Sequence, residues 1–200
     1  IKEQEGKVQV FWPAAEYYEK EVKKQYEEGY CPGMTVEPRV PEGLLREGRA
    51  FTDTALVTIC RYSGEGWDRK SILDTTPDAG EEDLARLSAR LFENGDFCLT
   101  EAEKEMVAKV KSIFPNVAVV LNTGGMMDTS WFKDDPGISA VLLAWQGGIE
   151  GGLAAADILC GDVNPSGKLT DTFAEKLEDY PSTEGFHESL DYVNYEEDIY

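Results

Sequence analysis

The chain has 200 residues, 42% of them hydrophobic, which suits one domain of ordinary size with a substantial core. Its net charge of −20 excludes a surface that tracks nucleic-acid phosphates or an anionic membrane, since both need clustered Lys and Arg. The ligand this charge favours is neutral or cationic, and no run approaches the length of a membrane span.

Pro13 to Glu28 alternates aromatic and charged residues at helical spacing and is followed by the stop signals Gly29 and Pro32, which predicts a surface helix. Pro41 to Arg49 predicts a second, short helix with proline in its opening turn. Thr54 to Cys60 reads as a buried strand, after which the chain turns polar and glycine-rich. Helices are expected over Glu81 to Phe92 and Thr100 to Ser112, the latter opening with Thr100 and Glu103 at capping-box spacing. Asn116 to Leu121 is an unbroken apolar strand and Ser139 to Trp145 a third. Gly151 to Leu159 is a small-residue helix, and Lys168 to Phe173 alternates in polarity as a fourth strand would. Apolar strands separated by helices predict a three-layer α/β/α sandwich with a mostly parallel sheet, formed by residues 1–200 as a single domain.

The N-terminal Ile1-Lys2-Glu3-Gln4-Glu5 has none of the apolar core of a signal peptide. Cys31, Cys60, Cys98 and Cys160 include no Cys-x-x-Cys pair, so a reduced, cytoplasmic setting is expected, with Cys60 and Cys160 acting as small core hydrophobes. His187 is the single histidine, which excludes a metal site of several imidazoles and leaves one possible base for a Ser-His-Asp triad. Neither a metal nor a cofactor is expected. Because no starting Met is present, the beginning of the protein is expected upstream.

The richest stretch for chemistry is Arg61-Tyr62-Ser63-Gly64-Glu65-Gly66-Trp67-Asp68-Arg69, where one carboxylate stands between two glycines just after a strand. Strand ends are where α/β folds place ligands, and glycines let a loop aim a side chain outward. Glu65 could protonate a glycosidic oxygen, with Tyr62 and Trp67 offering apolar surface to a sugar face and partial desolvation raising its pKa. Spacing alone supports equally a solvated turn in which Glu65 pairs with Arg61 or Arg69. Asp128 is the internal candidate for a second carboxylate, although Asp before Thr-Ser-Trp is more simply a helix cap or the closure of a turn. Gln146-Gly147-Gly148-Ile149-Glu150-Gly151-Gly152 lies where a phosphate loop would, but it lacks Gly-x-Gly-x-x-Gly and Glu150 would repel a pyrophosphate. A close approach of helix and strand explains these glycines better. Asp162 to Gly167 opens like a calcium loop whose twelfth position would be Phe173, so a tight turn is the preferred reading.

Taken together, Ser63 to Arg69, Val119 to Gly125, Ala144 to Gly152, Gly161 to Leu169 and Tyr195 to Tyr200 resemble glycoside hydrolase family 3, in its β-glucosidase branch, across most of the chain. The resemblance implies a retaining enzyme acting on terminal non-reducing β-D-glucosides, β-xylosides or oligosaccharides, whose site is shared between a (β/α)₈ barrel and an α/β sandwich. This chain resembles the sandwich alone, an internal fragment of a larger parent. By that resemblance Glu65 is the general acid/base, Asp68 and Arg69 support its loop, and the nucleophilic aspartate belongs to the barrel, so the isolated chain would be inactive. Gln146 to Gly148 depart from the proline-glycine of many relatives. The rival expectation is a non-catalytic α/β module that binds a nucleotide or a carbohydrate.

Overall fold

The computed structural model describes residues 6–30, 35–63 and 91–183. The expected helix over Glu81 to Phe92 falls almost wholly outside the described residues, as do Cys31, His187 and the terminal Tyr195 to Tyr200. In chain order the elements are helices α1 (Trp12–Glu27) and α2 (Glu42–Phe51), strand β1 (Thr54–Arg61), helix α3 (Glu101–Ile113), strand β2 (Asn116–Thr123), the short helix α4 (Ser130–Lys133), strand β3 (Ala140–Leu143) and helix α5 (Gly151–Leu159). Two 3₁₀ turns follow at Leu177–Asp179 and Pro181–Thr183. Among the described residues no helix is long and apolar enough to cross a membrane.

The sheet order is β1-β2-β3 and every pairing is parallel, with Thr54 beside Asn116 and Ala118 beside Ala140. Parallel neighbours of like parity share a face, so Val57, Ile59 and Arg61 point the same way as Val119, Leu121 and Thr123. That face is the core: Val57, Ile59, Val117, Val119 and Leu121 are all 3% exposed or less. Burying each such side chain contributes about 1.5–3 kcal/mol. Helix α3 covers it with Glu103, Met106, Val107 and Val110, spaced three and four apart as one helical stripe requires. Leu44 and Leu45 of α2 and Tyr17 and Tyr18 of α1 complete the cluster.

The opposite face is more open. Leu56 is 42% exposed and Cys60 is exposed too, which corrects the expectation of a packed Cys60. Its parity in the β1–β2 ladder is outward, opposite to Ile59 and Arg61. Leu159 and Cys160, where α5 ends, line with Leu56, Thr58, Cys60 and Ala118 a cavity of about 860 Å³. The expected strand over Lys168 to Phe173 is irregular instead, with Leu169 61% exposed. Its alternation is genuine, but a strand needs a neighbour to pair with. Asp162 belongs to the end of α5, where its N–H donates to Asp157 O at 2.9 Å and its carboxylate takes Lys7 Nζ at 2.6 Å, so the turn reading replaces the calcium one.

Glu37 lies beside this cavity and accepts from Tyr18 Oη at 2.6 Å. Burial pushes the carboxyl up to about 7, against the lowering effect of the Tyr18 hydrogen bond and with the Glu103 carboxylate adding to the rise. A carboxyl with a raised folded pKa favours the native state while protonated. Its contribution is therefore full below the ordinary carboxylate range and is lost as pH climbs through about 7. Glu37→Gln should accordingly gain stability relative to the parent sequence as pH rises from 5 to 8, and parallel urea unfolding series at both pH values check the sign. A gap that shrinks across that window contradicts the assignment.

Candidate active site

The three strands end together at one edge, and each hands the chain to a loop there: Tyr62-Ser63 after β1, Gly124-Gly125 after β2 and Ala144 to Gly148 after β3. This is the edge at which open parallel sheets bind ligands. The base of the first loop is set by Arg61. All five guanidinium N–H groups are used: Nε donates to Asp96 O, Nη1 to Cys60 O and Nη2 to Cys98 O, each at 2.8 Å, while Nη1 and Nη2 reach Glu103 Oε1 and Oε2 at 2.7 Å. The Phe92 ring packs on the guanidinium at 4.8 Å. With Arg61 2% exposed, partners among the described residues account for all five of its N–H groups.

Glu103 serves two masters here. Besides Arg61, its Oε2 accepts the Thr100 N–H at 2.8 Å while Thr100 Oγ1 accepts the Glu103 N–H at 3.2 Å, which is the capping box foreseen at the start of α3. The role of Arg61 was missed in the sequence, although a signal existed: it is in phase with the inward Val57 and Ile59.

Above this base the three loops are tied to one another. Gly124 N donates to Arg61 O at 3.0 Å, Ser63 Oγ donates to Gly124 O at 3.3 Å, and Gln146 Nε2 donates to Ser63 O at 2.8 Å. The approach is tight: a Cβ on Gly124 would lie 2.0 Å from Ser63 Oγ and 2.9 Å from Gln146 Nε2, so these side chains would have to shift to admit it. Trp145, two residues past the end of β3 and just before Gln146, takes the left-handed φ of +52°, rare for a bulky residue. The Trp145 ring rests 6.2 Å from Phe173. A Cβ on Gly147 would lie 2.7 Å from Gly151 Cα, so close approach of loop and helix explains that glycine.

Of the predicted site residues, Tyr62 stands at this edge with half its surface exposed, whereas Glu65, Trp67, Asp68 and Arg69 lie outside the described residues. Asp128 is a turn residue: its Oδ1 accepts the Ser130 N–H at 2.7 Å at the start of α4. Among the described residues no group of three His, Cys, Asp or Glu side chains is placed to hold a metal ion.

Residues 46–200 match the family model described as the glycosyl hydrolase family 3 C-terminal domain. β-Glucosidase A of Butyrivibrio fibrisolvens is 55% identical over 194 residues, which are 96% of this chain and 23% of that protein. A β-glucosidase of Ruminococcus albus is 33% identical over 88% of this chain and 16% of its own length. Among solved structures, a β-glucosidase from Paenibacillus barengoltzii superposes with a TM-score of 0.70 at 32% identity, over 90% of this chain and 18% of that one. The chain belongs to glycoside hydrolase family 3, and it spans less than a quarter of the length of these relatives.

Gly124→Ala should cost about 1–3 kcal/mol through overpacking against Ser63, measured by denaturant unfolding. Ser63→Ala in the same chain should recover part of that loss, since it removes the hydroxyl that a Cβ would strike. A Gly124→Ala protein as stable as its parent would contradict the tight junction.

Proposed function

We propose that this chain is the α/β-sandwich domain of a retaining β-glucosidase and that Glu65 is its general acid/base. The observation that carries the reading is the fixed base of the Glu65 loop: Ser63, two residues upstream, is held at the C-terminal edge of the sheet by Gly124 and Gln146. The family membership and the β-glucosidase names of the relatives support it. Residues 1–200 act as one domain of a longer protein whose (β/α)₈ barrel carries the aspartate nucleophile.

In the first step the barrel aspartate attacks the anomeric carbon of a terminal non-reducing β-D-glucoside while the Glu65 carboxylic acid gives its proton to the departing oxygen. In the second, the Glu65 carboxylate takes a proton from water as that water displaces the aspartate, which restores both groups. The acid needs a pKa raised toward working pH, and enclosure between the two domains would supply the desolvation that raises it. Tyr62, half exposed at the mouth of the loop, and Trp67 offer faces to the sugar ring, while Asp68 and Arg69 hold the loop. β-Xylosides, which lack only the exocyclic hydroxymethyl group, are the second substrate class.

In the full-length protein, Glu65→Ala should reduce kcat/KM for alkyl glucosides by about 10²–10⁴-fold, with a much smaller loss for activated aryl glucosides that leave without protonation. Added azide should restore turnover by attacking in place of activated water. Residues 1–200 alone should not turn over either substrate. Equal losses on both substrates, or none, would refute the acid/base role.

A further inference from the structure

Gln146 is a polar side chain on an exposed loop, yet its amide is committed across the sheet edge. Nε2 donates to Ser63 O at 2.8 Å, joining the loop after β3 to the loop after β1 over 83 positions of sequence. Ser63 in turn donates to Gly124 O, so Ser63 links the loops after all three strands. The junction leaves no slack, since Gln146 Nε2 would already touch a Cβ added to Gly124. Trp145 holds a left-handed φ of +52° at the preceding residue, a conformation that a bulky side chain adopts only when its surroundings impose it. Phe173 packs against that indole at 6.2 Å and helps to fix it.

We infer that Gln146 is a positioning residue for the acid/base: its amide latches the Ser63 carbonyl and so sets where the following Gly64-Glu65 peptide starts. This rests on the assignment of Glu65 under the proposed function. Gln146 touches no reacting atom in this scheme. Consecutive Cα atoms are held about 3.8 Å apart, so a displaced Ser63 carbonyl is passed on to a carboxyl only two residues away. A misplacement of about 1 Å can cost a hundredfold in rate when the displaced group must meet a defined oxygen. The latch is also a single hydrogen bond at an exposed site, worth too little to decide folding.

The test uses the full-length protein with Gln146→Met, which keeps the length of the side chain and removes its donor, and Gln146→Glu, which puts a carboxylate against the carbonyl. Each is compared with Glu65→Ala on an alkyl glucoside and on an activated aryl glucoside, alongside thermal unfolding. The latch predicts that both Gln146 variants lose about 10–100-fold in kcat on the alkyl glucoside but less than about threefold on the aryl one, with unfolding temperatures unchanged. In a Glu65→Ala background, Gln146→Met should cost nothing further, because the group it positions is gone. Gln146 variants that lose equally on both substrates, or not at all, overturn the latch while leaving Glu65 in its role. Should Glu65→Ala itself show no dependence on leaving group, the acid/base reading fails first and the latch with it.

Discussion

The bidentate contact between Arg61 and Glu103 is the constraint on which this domain is built. Both side chains are withdrawn from water, at 1% and 11% exposure. Removing two ions from solvent costs several kcal/mol each, a cost offset only when every donor and acceptor finds a partner. Here it does. Three backbone carbonyls and one carboxylate take the five guanidinium protons, and Glu103 adds the N–H of Thr100. Glu103 also sits in the first turn of α3, where the helix dipole favours a negative charge. The pair thus fastens the last residue of β1 to the start of α3 and to the segment around Asp96 and Cys98.

That fastening fixes where the chain leaves the sheet after β1. The chain leaves the sheet at Ser63 and is back against Arg61 by Phe92, so one side chain grips both ends of the intervening stretch that holds Glu65. The guanidinium holds the downstream side at Phe92, Asp96 and Cys98, and Arg61 itself is the last residue of β1 on the upstream side. A second set of contacts, from Gly124 through Ser63 to Gln146, then holds Ser63.

Much of this was legible in the sequence, and the failures share one cause. Helix α3 announced itself through Thr100 and Glu103 because capping is local chemistry, and both appear as read. The strands were found from apolar runs, and β2 even extends two residues further, to Thr123. What local reading could not supply was partnership across distance. Lys168 to Phe173 has the alternation of a strand but no edge beside it. Cys60 ends an apolar run and was assigned to the core, whereas its parity in the ladder turns it outward. Arg61 looked like a loop cation because its partners lie 35 to 42 positions away. Its inward phase with Val57 and Ile59 was the clue, outweighed by the expectation that a charge at a strand end faces water. Gln146 was read as part of a glycine loop and as a departure from a family pattern, and neither reading foresaw its amide contact with Ser63.

The two layers of contact also differ in what they can be asked to do. A buried ion pair stripped of one partner is destabilising by about 3–5 kcal/mol, a large part of a domain's whole margin, so variation at Arg61 or Glu103 is felt first as unfolding. An exposed amide-to-carbonyl bond contributes about 0.5–1.5 kcal/mol, which folding can lose without notice. The same energy is about a factor of ten in rate when it is spent on the position of a reacting group. Stability is therefore decided at Glu103 and Arg61, whereas the Ser63–Gln146 contact above them contributes little to it. A loop root that is rigid by burial and trimmed by an exposed bond can have its aim changed without endangering the fold that supports it.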